Sequence, residues 1–217
     1  MNKKHAFPAL LLVAALVWAG FSWAPADDPE PEPAVTEATA EAVTWNLDPF
    51  HSEVTFFVRY LGLSRVTGVF HDFDVELTAD PDDLNSLETT ATVQVGSIDT
   101  RVEDRDDHLR SPDFFDAESF PEMTFVSSEV RNIDGSSFTL VGDLTIKDVT
   151  REVEFDAELL GTAVGMQGNE RAAFTATTVI DRMDYGVSWN ELTDAGGIIV
   201  GHDVTITLDL QMLKAEE

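Results

Sequence analysis

The sequence has no cysteine, and beyond Lys3 and Lys4 its only lysines are Lys147 and Lys214. The first absence excludes a disulfide framework and a lipid anchor on a cysteine behind an export signal. The second leaves 13 basic residues, nine of them arginines, against 41 acidic ones, a formal charge of -28. Removal of an N-terminal leader carrying Lys3 and Lys4 takes this to about -30. Such a surface repels phosphate backbones and anionic headgroups, so no nucleic-acid partner is expected, nor attachment to a membrane through a basic patch. The carboxylates suit a protein working in high salt, where screening removes their mutual repulsion, or an ordinary acidic exported protein.

Catalytic and metal-binding patterns are also missing. His51, His71, His108 and His202 stand singly, without paired ligand spacing. Gly62-Leu63-Ser64-Arg65-Val66 starts like a nucleophile elbow, but Val66 replaces the second glycine. Residues 80 to 91 put Asn85 and Ala91 where an EF-hand needs glycine and glutamate, so Asp80, Asp82 and Asp83 read as a solvated turn. The acids are too many for one pair to stand out as an acid and base couple. Neither an enzyme nor a metal site is expected.

What is present begins with a leader. Lys3, Lys4 and His5 precede an apolar run from Ala6 to Gly20 and the small residues Ala24-Pro25-Ala26, which predicts a signal peptide over 1–26 and export to the periplasm or beyond the cell. Residues 27–42 are rich in Pro, Glu and Ala and read as an acidic spacer without a core of its own. One domain is expected over 43–214.

That domain alternates. Val54, Phe56, Val58 and Tyr60 recur at every second position, as do Val69, Phe73, Val75 and Leu77 after the Gly62 to Gly68 connection, which predicts a long hairpin with one apolar face. Further strands are read around Ala91, Val93 and Val95, over 123–131, 137–146, 151–160, 171–180 and 203–213, with Asp134-Gly135 as a hairpin turn. Between the third and fourth strands, 100–110 changes period: a charged helix with a narrow Val102 and Leu109 stripe, capped by Thr100 or Asp99, serving as a lid. Phe114, Phe115 and Phe120 should fold back over the barrel mouth.

Eight such strands, apolar on one face and acidic on the other, must hide the apolar face, and an eight-stranded antiparallel lipocalin-like barrel does so. Its interior is either filled by side chains or holds one ligand. Ala91, Ala157, Ala172, Ala176 and Gly142 leave room between the large residues, although ordinary barrel packing alternates small and large as well. The candidate interior is Val54, Phe56, Val58, Phe73, Val93, Phe125, Phe138, Leu140, Phe155, Phe174 and Trp189.

Trp45, Asp48, His51, Ser52, Phe56, Val58, Gly62, Val66, Gly68, Phe70 and Phe73 resemble the opening of the YceI-like family. Three further blocks agree, SIDTRVEDRDDHLRSPDFFDAESFPEMTFVS, GDLTIKDVTREVEF and IDRMDYGVSW, so the resemblance spans residues 44 to 213. It implies a barrel holding a long polyisoprenoid, isoprenoid quinone or related lipid, with no other cofactor and only transient membrane contact for lipid exchange. His108, Arg110 and Arg182 lie in its most similar blocks as headgroup contacts, or as partners of Asp106 and Asp181 that pin the helix. The chain departs from the family at Tyr60, where histidine is frequent, and at Asp74 and Lys147-Asp148, where glycine is. A homodimer is left open. The other reading is a filled barrel acting through its acidic surface as an envelope stress or protein-interaction module.

Overall fold

The computed structural model describes residues 42–80, 83–192 and 196–215. The signal peptide and almost all of the spacer lie outside the described residues. The strands are β1 (Val43–Leu47), β2 (Glu53–Tyr60), β3 (Ser64–Phe70), β4 (Phe73–Asp80), β5 (Asp83–Gln94), β6 (Ile98–Asp99), β7 (Glu122–Asp134), β8 (Ser137–Ile146), β9 (Val149–Val164), β10 (Glu170–Asp181) and β11 (Val200–Lys214). One helix, α1 (Glu103–Arg110), follows β6. Every pairing between strands is antiparallel.

Eight strands close a ring in the order β1-β4-β5-β7-β8-β9-β10-β11, and the pairing of β1 with β11 completes it. The eight-stranded antiparallel barrel read from the alternation is therefore present. β11 also pairs β2 over Val200 to Asp209, and β2 carries β3, which in turn carries β6. β1 and β2 thus share one long neighbour, and the chain must bend between them.

The second strand of the opening hairpin differs from expectation. Instead of one run from Val69 to Leu77 there are two strands, broken at His71 and Asp72. Phe70 pairs Val54 and faces inward, and Phe73, three residues later, faces inward again. An odd spacing within one strand would place them on opposite faces. The break resets the parity, and Val69 faces away from the interior.

The bend between β1 and β2 is held by Asp48. Its buried carboxylate accepts from Arg171 Nη1 at 2.6 Å, His51 Nδ1 at 2.9 Å, Gln211 Nε2 at 3.0 Å and the Phe50 amide at 3.1 Å. Asp48 N–H donates to the Gln211 carbonyl at 2.8 Å, and Ser52 Oγ accepts from the Gln211 amide at 2.9 Å. Residues of β10 and β11 are thereby tied to the corner where the chain passes from β1 to β2.

Burial alone would raise the Asp48 pKa, but donors from His51, Gln211, Phe50 and Arg171 outweigh it and hold it at about 2, against the ordinary 3.8. A depressed native pKa stabilises the fold above the unfolded value and loses that contribution as pH falls from about 4 towards 2. We expect Asp48→Asn to cost on the order of 2 kcal/mol at pH 7 and to flatten the acid limb between those values. Urea melts of both proteins at pH 7, 4 and 2 check this; an unchanged acid limb would refute it.

Candidate ligand-binding cavity

Closing the ring points alternate side chains at one axis. Along β8 these are Phe138, Leu140, Leu144 and Ile146; along β11 they are Val204, Ile206, Leu208 and Leu210. They enclose a cavity of about 200 Å³, measured as the space open to the centre of a water molecule. That is far above the roughly 10–15 Å³ a single water needs. At roughly 3.3 Å per residue and a barrel tilt of 35–45°, the lining from Phe138 to Ile146 runs about 20 Å along the axis. The walls are almost entirely carbon.

Several inward side chains remain half-buried because they face this space: Phe56, Phe73, Phe174 and Leu208. Glycine and alanine keep it open. A Cβ on Gly68 would overlap the Phe56 ring, and one on Gly142 would overlap the Phe125 ring, so each phenyl lies flat on a bare stretch of wall. Ala157 and Ala176 stand opposite each other across β9 and β10, both lining the cavity.

The two ends differ. At one, Trp45 (2% exposed) and Met212 (0%) join Ala79 and Ala172 in the buried core without lining the cavity. That end is sealed. The other end is covered by Leu109 of α1, by Phe114 and Phe115 behind it, and by Tyr185 and Val187, all of which line the cavity. The cap is thin and assembled from short segments.

The helix is fixed differently from expectation. It starts at Glu103 behind Val102, and Thr100 is not its cap; the buried Asp106 carboxylate accepts from the Thr100 amide at 2.9 Å and its hydroxyl at 2.5 Å. Arg110 donates to the carbonyls of Gly96 at 3.0 Å and Ile98 at 2.8 Å and to Asp107 Oδ1 at 3.0 Å, so it pins α1 through backbone oxygens rather than through Asp106. Lys147 adopts φ 57°, and its Nζ donates to the Phe114 carbonyl at 3.0 Å. A left-handed backbone costs a side chain about 1 kcal/mol or more. Here it places the ammonium under the cap.

Ten of the candidate interior residues, Val54, Phe56, Val58, Phe73, Val93, Phe125, Phe138, Leu140, Phe155 and Phe174, line the cavity. Trp189 does not; it stacks outside it on Phe114 and against His108, at centroid distances of 5.1 and 4.9 Å. His108 also lies off the cavity, with Nε2 at 3.0 Å from Asp113 Oδ2. Arg110 is likewise outside the lining. Arg182 does line it, 5% exposed, and donates to the carbonyls of Val187, Gly201, Trp189 and Val200 rather than to Asp181. Burial lowers the Arg182 pKa, with Asp181 opposing.

Phe70, Leu109, Tyr185 and Val187 are lining residues absent from the sequence-based set. The Tyr185 hydroxyl is buried without a partner among the described residues, and burial raises its pKa to about 12. The Phe70 and Phe73 spacing around His71-Asp72 is the available signal for the first, and the apolar stripe of the lid helix is the signal for Leu109; Tyr185 and Val187 lie in irregular segments where alternation gives none.

The YceI-like domain model matches residues 45–212. The chain belongs to the YceI-like family. A UPF0312 protein of Staphylococcus epidermidis is 42% identical over 161 residues, covering 74% of this chain and 91% of that one. Among solved structures, BcnA of Burkholderia cenocepacia superposes with a TM-score of 0.67 at 25% identity, covering 76% of this chain and 98% of its own. The YceI protein of Campylobacter jejuni gives 0.64 at 29%, covering 73% and 90%. A polyisoprenoid binding domain from Saccharophagus degradans gives 0.59 at 13%, covering 80% and 99%, a likeness of fold. The YceI-like fold and this cavity support a lipid-binding barrel.

Two substitutions test the cavity. Ala176→Phe should fill its middle, abolishing uptake of a fluorescent long-chain lipid while moving the melting temperature by only a few degrees. Lys147→Gly should keep or raise the melting temperature by removing the left-handed strain, yet speed release of the same lipid several-fold by freeing Phe114. Equal release rates from this variant and the parent would refute the tether.

Proposed function

We propose that this protein is an exported, non-catalytic carrier that holds one long apolar molecule, a polyisoprenoid, an isoprenoid quinone or a similar lipid, inside its barrel. The observation that carries this reading is the carbon-lined cavity, sealed by Trp45 and Met212 at one end and thinly capped at the other. The likeness to a domain described as polyisoprenoid binding supports the ligand class. The leader-like sequence over 1–26 supports export to the periplasm or beyond.

The energetics favour a chain over a compact ligand. At about 0.8 kcal/mol per buried CH₂, twenty carbons already approach the roughly 18–21 kcal/mol at which affinities saturate. Ordering a flexible chain offsets much of that. Selection therefore rests on length against the sealed end and on what the cap admits. The reading of a filled barrel acting only through its acidic surface needs an interior without such a cavity.

Native mass spectrometry of the mature protein, expressed with its leader, followed by organic extraction, tests the proposal. A discrete adduct that disappears on extraction and has the mass of a prenyl lipid is the expected result. A protein purified from its own envelope that yields no extractable lipid would overturn the carrier reading.

A further inference from the structure

The turn between β2 and β3 sets exposed apolar side chains beside cations. Leu63 is 80% exposed, and Tyr60 and Leu61 beside it are 42% and 40% exposed. The turn is well defined: Leu61 and Gly62 take φ 54° and 68°, Leu63 N–H donates to the Tyr60 carbonyl at 3.0 Å, and Leu61 N–H donates to the Ile199 carbonyl at 2.7 Å. Leu63 is therefore presented to solvent by a braced turn.

Two arginines flank it. Arg59 and Arg65 are directly opposed across β2 and β3, where like charges repel, and Arg65 stacks over the Phe57 ring at 4.3 Å. Neither makes an ion pair among the described residues, in a chain whose acids outnumber its basic groups threefold. Two unpaired cations side by side, next to exposed leucines, match a layer of phosphates lying over hydrocarbon.

The position also fits. Val58, one turn of pleat below Tyr60, and Val200, which pairs Tyr60, both line the cavity, so the turn crowns the thinly capped end. The opposite end exposes apolar side chains too, Phe50 and Met166. Those lie beyond Trp45 and Met212, the residues that seal the cavity, and the nearby Arg171 and Lys214 are taken by Asp48 and Glu170.

We propose that the β2–β3 turn is a membrane-docking tip: Leu61 and Leu63 enter the headgroup region of a phospholipid bilayer while Arg59 and Arg65 meet its phosphates, setting the cavity's capped end against the lipid. The net charge that repels an anionic surface acts through a screening length of about 8 Å, and the tip projects the arginines ahead of it. Docking of this kind is weak and reversible, as lipid exchange requires. Its purpose rests on the carrier reading, but its test does not.

The full mature chain is floated with vesicles of phosphatidylcholine, with and without phosphatidylglycerol. The parent should float with both and bind the anionic vesicles about tenfold more tightly at physiological salt, where the screening length is about 8 Å. Leu63→Asp should lose at least tenfold on both. Arg59→Gln with Arg65→Gln should lose only the anionic preference, and Met166→Asp, at the sealed end, should behave as the parent. A parent that does not float, or Leu63→Asp floating equally, would overturn the tip. So would sedimentation showing that Leu63 holds two copies of the chain together. An unchanged melting temperature for Leu63→Asp verifies that its barrel is intact. A chain that docks yet never yields lipid sinks the carrier reading alone, whereas one that yields lipid and does not dock sinks the tip alone.

Discussion

A sheet can close on itself only if its last strand finds its first, and here the last strand has to find two. β11 pairs β1 near its end and β2 along most of its length, because the chain turns a corner between them. The corner is made by one carboxylate. Asp48 gathers donors from its own loop, from Arg171 on β10 and from Gln211 on β11, so the geometry that bends the chain also fixes the register of closure. An unpaired buried carboxylate would be costly, which makes the full set of donors a requirement rather than an addition. Without that corner, β2 and β3 would not lie where Val54, Phe56 and Phe70 complete the wall.

Once the ring is closed, emptiness has to be maintained against the nine phenylalanines that line the cavity. Large inward residues left to themselves would meet across the axis. Gly68 and Gly142 let Phe56 and Phe125 lie along the wall instead, and Ala157 opposite Ala176 keeps a second stretch clear. The same side chains that leave the cavity open are therefore incompletely buried, and the apolar area they expose to it is recovered when an apolar molecule enters. Such an interior is less stable empty than filled, which is the thermodynamic form the proposed carrier needs.

Strict alternation made most of the wall legible. In the stretches of β7 to β10 between the bulges, inward side chains recur at every second position, so Phe125, Phe138, Leu140, Phe155 and Phe174 could be placed from sequence. Where the period breaks, the reading failed in a definite way. A single strand through His71-Asp72 would put Val69 on the same face as Phe73, whereas the break there turns Phe70 inward. Trp189 sits in an irregular segment and His108 and Arg110 at the end of the short helix α1, and only contacts between distant parts of the chain decide that the first two stack with Phe114 outside the cavity while Arg110 reaches Gly96 and Ile98. Thr100 looked like a helix cap by type and position. Asp106 took its hydroxyl and amide instead, which moved the helix start to Glu103.

Departures from the family pattern become intelligible on the same terms. A glycine at Lys147 would meet the φ of 57° without strain, so the lysine imposes a cost in the backbone of the β8–β9 turn. What it obtains is reach: the ammonium crosses to the Phe114 carbonyl and lies 5.8 Å from the Phe120 ring, joining a rigid hairpin to the segment that covers the cavity. Of the two lysines in so acidic a domain, Lys147 thus meets a neutral carbonyl inside the cap rather than any of the surrounding carboxylates. Arg182 follows the same logic, its guanidinium committed to the carbonyls of Val187, Gly201, Trp189 and Val200. Lys147, Arg110 and Arg182 thus hold backbone together where no ladder of hydrogen bonds can, in the part that the proposed carrier would have to open.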